Sequence, residues 1–159
     1  MYLNHVIKSQ QFNKENLDEI FAIAEQMESH SRKDKVLHNS IMASLFYEPS
    51  TRTRMSFESA MIRLGGTIIT TESAGHFSSS AKGESLEDSI RIISSYCDVI
   101  VLRHNTSGAS ERASKISNVP IINAGDGAGQ HPTQALLDLY TIKKEKGQID
   151  GISIAMVGD

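Results

Sequence analysis

The side chains with the clearest chemical potential in this sequence form one short run, Ser50-Thr51-Arg52-Thr53-Arg54. An apolar stretch at 41–47 precedes the run and predicts a buried strand, and helical periodicity follows it. Ser50 is therefore a candidate N-cap of a helix. The first turn of that helix would offer unpaired backbone N–H groups, the positive end of the helix dipole, hydroxyls and two guanidiniums. This combination predicts a site for a phosphate or a similar oxyanion.

The two arginines also have a purely structural interpretation. Both could be solvated, or paired with Glu48 and Glu58 nearby in the sequence. However, a helix N-terminus favours acidic rather than basic residues, so stability alone gives little reason to place Arg52 and Arg54 there.

Strand and helix patterns alternate along the chain. This alternation predicts the fold in which the run at 50–54 lies. Strands are expected at 41–47, 67–71, 99–102, 120–123 and 152–157, and helices at 13–28, 51–64, 85–96, 108–117 and 132–146. The alternation predicts an α/β fold with an open, mostly parallel sheet and helices on both faces. We expect residues 1–150 to form one domain and 151–159 to be the first strand of a second domain.

The predicted strand ends gather further candidate residues. In an open α/β sheet, ligands bind beyond the carboxyl ends of the strands. One end leads into a polar loop at 72–85, long enough to be a lid or a binding loop. The candidates at the other strand ends and in this loop are Ser78, Lys82, Arg103, His131 and Gln134.

This set is rich in cations and hydrogen-bond donors, and it suits anion binding and polarisation of a carbonyl group. Arg52 and Arg103 could each hold a phosphate through two hydrogen bonds. His131 at a helix N-terminus is expected to stay neutral and to donate to a carbonyl oxygen. Taken singly, His131 could instead be only a helix cap, and Lys82 only a surface lysine.

The composition excludes several classes of function. The 159 residues carry a net charge of −3, which argues against general nucleic-acid binding. The six histidines have no metal-ligand spacing, and we expect neither metal nor cofactor. No apolar run has the length of a membrane helix, and the single Cys97 cannot form an internal disulfide. A cytoplasmic location is expected.

Two motifs resemble signatures of the aspartate/ornithine carbamoyltransferase family. The first extends from Phe46 through Arg54 to Ser56-Phe57-Glu58, and the second is His131-Pro132-Thr133-Gln134 followed by Leu137-Asp138-Leu139. The segment containing Ser78 and Lys82 is similar to the mobile loop of the family's aspartate branch. The ornithine branch carries a different motif there and usually a cysteine in the second signature.

The resemblance implies specific roles for the candidate residues. The phosphate of carbamoyl phosphate would be held by Ser50, Thr51, Arg52, Thr53 and Arg103. Its carbonyl oxygen would be surrounded by Arg103, His131 and Thr53, and its amino group would meet Gln134. Ser78 and Lys82 would reach into the site of a neighbouring subunit, because the family forms homotrimers with shared active sites.

The implied reaction transfers the carbamoyl group from carbamoyl phosphate to the amine of L-aspartate, giving N-carbamoyl-L-aspartate and phosphate in pyrimidine biosynthesis. Regulatory chains are possible partners. The family's aspartate-binding arginines belong to the second domain, so we expect the 159 residues alone to bind phosphate-type ligands but not to turn over aspartate. The alternatives are an ornithine or related carbamoyltransferase, and a non-catalytic anion-binding or assembly domain.

Overall fold

The computed structural model describes residues 3–28, 35–72 and 83–157. Its elements are, in chain order, α1 (Lys14–Glu28), β1 (Ile41–Phe46), α2 (Thr51–Arg63), β2 (Thr67–Glu72), α3 (Leu86–Ile93), β3 (Val99–His104), α4 (Ala109–Ser114), β4 (Ile121–Asp126) and α5 (Pro132–Lys146). A short 3-10 turn, Ser9–Gln11, precedes α1. The expected α/β fold is confirmed.

The four strands form one parallel sheet in the order β2-β1-β3-β4. The two central strands are almost continuously apolar because helices cover both faces of the sheet. One core cluster joins the sheet to α3 and α4 and includes Leu45, Ile90 and Ala113. The opposite cluster joins it to α2 through Phe46 and Met61.

The strand order places a switch point between β1 and β3. From β1 the chain moves outward to β2 and then returns to the other side of β1 with β3. Phe46 lies opposite Arg103 in the register, and the backbone N–H of Tyr47 donates to Arg103 O at 2.9 Å. The loop entering α2 therefore starts beside Arg103, in the crevice where open α/β sheets bind ligands.

Strand β4 is longer than the sequence pattern indicated. The strand was expected at 120–123, but the observed strand continues to Asp126. The pairing shifts register, because Leu102 pairs with Asn123 and His104 with Asp126. Gly125, at a φ of 115°, lies in this irregular stretch. A glycine in a strand is typical of such a bulge.

The N-terminal segment extends the sheet beyond β4. Val6 forms a parallel bridge with Ile122, and its N–H donates to Ile121 O at 2.8 Å. The sequence predicted no strand before residue 41, since a single bridge leaves no periodic pattern.

The strand expected at 152–157 is absent, and this expectation was wrong for the structure described here. These residues have no regular secondary structure, and Met156 and Val157 are 90% and 99% exposed. A strand is stabilised by pairing with a neighbour, and no described strand lies beside this segment. The helix expected at 132–146 is confirmed as α5.

Candidate active site

The first turn of α2 presents several groups that no intrahelical contact uses. Ser50 occupies the N-cap position, as expected, but its hydroxyl makes no capping hydrogen bond. The first helical N–H to donate within the helix is that of Arg54, to Ser50 O at 3.0 Å. The N–H groups of Thr51, Arg52 and Thr53 therefore remain available for an anion.

The two arginines of this turn differ in their surroundings. The Nε atom of Arg54 lies 3.8 Å from Glu58 Oε1, so Arg54 braces the helix as the structural interpretation allowed. Arg52 is exposed and pairs with no carboxylate among the described residues. Of the two guanidiniums, that of Arg52 is therefore the one in position to contact a ligand.

Arg103 is held in place by its neighbours at the ends of β1 and β4. Its Nε lies 2.8 Å from Glu48 Oε1, an ion pair whose angle is not that of a hydrogen bond. Its Nη1 donates to Ala124 O at 3.0 Å. The guanidinium is thus fixed in orientation before any ligand binds, which lowers the entropy cost of binding.

Gly125 allows Arg103 and His131 to approach the same point of the backbone. A Cβ atom on Gly125 would lie 2.8 Å from Arg103 Nη1 and 3.3 Å from His131 Cδ2. Both side chains therefore pack against a surface that only glycine provides, at a φ that other residues rarely adopt.

His131 is the N-cap of α5. Its Nδ1 accepts a hydrogen bond from the backbone N–H of Gln134 at 3.3 Å, and the Thr133 hydroxyl lies at the same distance. Burial lowers the pKa of His131, and the charge of Arg103 lowers it further. The ring is therefore neutral at pH 7, and Nε2 carries the proton that can be donated to a carbonyl oxygen.

Gln134 projects from the first turn of the same helix. Its Nε2 donates to Asp138 Oδ1 at 2.9 Å, so the amide is held in one orientation. This orientation leaves Oε1 available to accept from an N–H group of a ligand.

Four of the expected site residues line a single cleft of about 480 Å³. The complete lining among the described residues is Arg52, Thr53, Ser56, Phe57, His131, Thr133, Gln134 and Leu137. Arg103 adjoins this cleft through its contact with the backbone beside His131. Ser50 and Thr51 belong to the same helix start as Arg52. Ser78 and Lys82 lie outside the described residues.

Several contributors to the site were not expected from the sequence. Glu48 and the carbonyl of Ala124 orient Arg103, and Asp138 orients Gln134. The signal for Asp138 was its spacing of four residues from Gln134 on a helix. Contacts between separate strand ends have no local signal.

Two structural features are absent from the described residues. No group of three or more histidine, cysteine, aspartate or glutamate side chains in this part of the chain could hold a metal ion. None of its helices combines the length and the apolar composition needed to cross a bilayer.

Comparison with known proteins identifies what the chain resembles. Residues 4–144 match the profile of the aspartate/ornithine carbamoyltransferase, carbamoyl-P binding domain. The chain is 58% identical over 160 aligned residues to aspartate carbamoyltransferase 1, chloroplastic, of Pisum sativum, covering 99% of this chain and 42% of the relative. It is 57% identical to the aspartate carbamoyltransferase catalytic subunit of Methanocaldococcus jannaschii, covering 99% and 52%.

Solved structures agree with this comparison. The catalytic subunit of M. jannaschii aspartate transcarbamoylase superposes with a TM-score of 0.87 at 56% identity, covering 94% of this chain and 50% of that chain. Aspartate transcarbamoylase from Trypanosoma cruzi in complex with N-(phosphonacetyl)-L-aspartic acid gives 0.90 at 43% identity, covering 98% and 49%. The chain therefore spans about half the length of the curated relatives it matches.

Proposed function

This chain belongs to the aspartate/ornithine carbamoyltransferase family, and we propose that it supplies the carbamoyl-phosphate site of an aspartate carbamoyltransferase. The reaction would transfer the carbamoyl group to the amine of L-aspartate, giving N-carbamoyl-L-aspartate and phosphate for pyrimidine biosynthesis. The observation that carries the proposal is the single cleft into which Arg52, Thr53, His131 and Gln134 all face.

In the proposed complex, the start of α2 binds the phosphate group. Unpaired N–H groups, the helix dipole and the hydroxyls of Ser50, Thr51 and Thr53 favour a dianion there. Arg52 adds a guanidinium with no carboxylate partner among the described residues. Arg103 contributes a second positive charge from β3.

The groups around the carbonyl would stabilise the transition state. The aspartate amine attacks the carbonyl carbon, a tetrahedral oxyanion forms, and the C–O bond to phosphate breaks as the phosphate leaves with the electron pair. The amine releases its proton in the same sequence of steps, and the departing phosphate accepts it. Arg103, the Nε2–H of His131 and the Thr53 hydroxyl would donate to the oxygen on which charge develops. The free Oε1 of Gln134 would accept from the carbamoyl NH₂ group.

The choice of aspartate over ornithine is supported by the names of the relatives. The relatives at 54–58% identity are named aspartate carbamoyltransferases. Ser78 and Lys82 remain proposed contributors to the aspartate part of the site. An assay of carbamoyl transfer by the full-length protein, with aspartate and ornithine as alternative acceptors, tests the proposal. Product formed from ornithine but not from aspartate would overturn it.

A homotrimer with shared active sites is the proposed assembly. It is supported by exposed apolar side chains on α2, Met55 at 60% and Ile62 at 55%, beside a second cleft of about 490 Å³. Mass measurement in solution tests this. Association with regulatory chains is also part of the proposal, and copurification of a second polypeptide would support it.

We keep the cytoplasm as the proposed compartment. The plant relatives are named chloroplastic, so cell fractionation decides between the two locations.

The 159 residues alone are proposed to bind phosphate-type ligands without turning over aspartate. If the purified 159-residue chain steadily produced carbamoylaspartate, this part of the proposal would be wrong.

Replacing Arg52 by alanine tests the phosphate site. Loss of a charge-assisted hydrogen bond should weaken binding of N-(phosphonacetyl)-L-aspartate by about 10- to 100-fold, measured by calorimetry. Arg63→Ala is the matched control, because Arg63 is exposed at the opposite end of the same helix. Equal effects of the two substitutions would contradict a phosphate contact by Arg52.

A further inference from the structure

Asn123 is a buried polar side chain beside the candidate site. It lies in β4 and has no exposed surface. Its Oδ1 accepts from Gly125 N at 2.9 Å, and its Nδ2 donates to Ile7 O at 2.9 Å and to Gln130 O at 3.2 Å. Both amide hydrogens are engaged, which is the condition for burying an amide at low cost.

Two of these three partners adjoin residues of the site. Gly125 is the backbone position against which Arg103 and His131 pack. Gln130 directly precedes His131 in the sequence. Asn123 therefore restrains the backbone at Gly125 and at the entry to α5.

The third partner belongs to the N-terminal segment at 5–9. Within this segment, Val6 O accepts from the backbone N–H of Asn123 at 2.8 Å. Ser9 N donates to Gln130 Oε1 at 3.3 Å. The segment thus contacts β4 through Val6 and Ile7, and it contacts the loop between β4 and α5 through Ser9.

Gln11 holds this segment in shape. Its Oε1 accepts from Ile7 N at 2.7 Å and from Lys8 N at 3.1 Å, and its Nε2 donates to His5 O at 2.8 Å. One side chain therefore holds the backbone at His5, Ile7 and Lys8, and Ile7 is the residue whose carbonyl contacts Asn123.

We propose that segment 5–9, shaped by Gln11 and connected through Asn123, positions Arg103 and His131 for their contacts with the ligand carbonyl. Gln11 and Asn123 are positioning residues and do not touch the ligand. The physical reason is that small displacements of donors away from the reacting oxygen cost much of their effect. This inference rests on the proposed function.

The test compares the binding of two ligands to the full-length protein. Phosphonoacetamide carries a phosphonate and a carboxamide joined through carbon, so it has a carbonyl group but no C–O–P bond that can break. Inorganic phosphate lacks the carbonyl group. Gln11→Ala and Asn123→Ser should weaken phosphonoacetamide binding by about 3- to 10-fold. Phosphate binding should weaken less, by about two- to threefold at most, because Arg103 but not His131 also contacts the phosphate in the proposed complex. Gln10→Ala is the matched control, because Gln10 is exposed and its side chain makes no hydrogen bond within the described residues.

The ratio of the two affinities separates positioning from general loss of stability. If Gln11→Ala lowers the thermal midpoint but leaves this ratio at the wild-type value, the inference is wrong. Gln11→Ala decides the question by itself if Asn123→Ser fails to fold. A wild-type chain that binds phosphonoacetamide no better than phosphate would overturn both the carbonyl contacts of the proposed function and this inference.

Discussion

The two ring nitrogens of His131 have different surroundings. Nδ1 accepts from the backbone of α5 and caps the helix, which leaves the proton on Nε2. The sequence predicted a neutral ring because of the helix dipole. The lowered pKa agrees with that prediction, but burial is its largest cause and the charge of Arg103 the next. Capping by Nδ1 is therefore compatible with the proposed ligand contact by Nε2, although the sequence offered the two roles as alternatives.

Replacing His131 by asparagine should separate these two roles. The asparagine Oδ1 can replace Nδ1 as the cap, but the asparagine side chain is shorter and places no N–H donor at the position of Nε2. We expect turnover of the full enzyme to fall by about 10²- to 10³-fold, while the free energy of unfolding changes by less than about 1 kcal/mol. His131→Ala should lose both functions and unfold more easily. Wild-type turnover by the asparagine variant would exclude donation by Nε2.

At the scale of elements, β4 is longer than the sequence indicated and contributes to the position of Arg103. Its last residues continue the sheet with a register shift, and that shift directs the carbonyl of Ala124 to Arg103. Asp126 joins two loops, because its carboxylate accepts from Gly108 N at 2.9 Å in the loop after β3 and from Gln130 N in the loop after β4. Aspartate side chains commonly accept such backbone hydrogen bonds in turns.

Substitution of Gly125 tests whether β4 shapes the site. Gly125→Ala should lower the free energy of unfolding by about 1–3 kcal/mol, since its φ is 115° and its Cβ would meet Arg103. Affinity for phosphonoacetamide should fall by about tenfold or more. Gly147→Ala is the matched control, with a φ of 76° and no atom within 4 Å of the added Cβ. It should cost about 1 kcal/mol of stability and no affinity.

If both glycine variants bound phosphonoacetamide as tightly as the wild type, the close packing at Gly125 would have no role in the site. Calorimetric titration and thermal unfolding of both proteins provide the comparison.

At the scale of the whole molecule, three histidines share one arrangement. Each accepts a backbone hydrogen bond at Nδ1: His5 from Ile121 N at 3.0 Å, His104 from Thr106 N at 2.9 Å and His131 from Gln134 N at 3.3 Å. Burial is the largest cause of the lowered pKa of all three rings. Protonation would remove each acceptor.

The pH dependence of stability follows from these shifts. Each folded pKa lies below the unfolded value of 6.5, so the unfolded chain binds more protons as the pH falls. Stability should be fully present above about pH 6.5 and decline as the pH falls through the folded pKa values. Denaturant unfolding at several pH values measures this.

His5→Asn should reduce the acid sensitivity, because asparagine retains an acceptor but does not titrate. His38→Asn is the control, since the His38 side chain is exposed and makes no hydrogen bond in the described ranges. Stability that rises as the pH falls from 7 to 5.5 would contradict the prediction.

The sequence alone determined the alternation of strands and helices. It also determined that the candidate residues meet at the carboxyl ends of the strands. These features depend on local periodicity and on the rule that parallel strands end at one edge of the sheet. Arg52, Thr53, Arg103, His131 and Gln134 could be assembled into one site by this reasoning.

Only the tertiary structure decided how these side chains are held. The pairing of Arg103 with Glu48, the packing of Gly125 and the bridge from Val6 to Ile122 join residues far apart in sequence. It also left 152–157 unpaired, although its local pattern favours a strand. Local sequence patterns indicate which secondary structure a segment favours. The partner that a segment meets depends on the path of the whole chain, and hydrogen bonds and ion pairs form only with that partner.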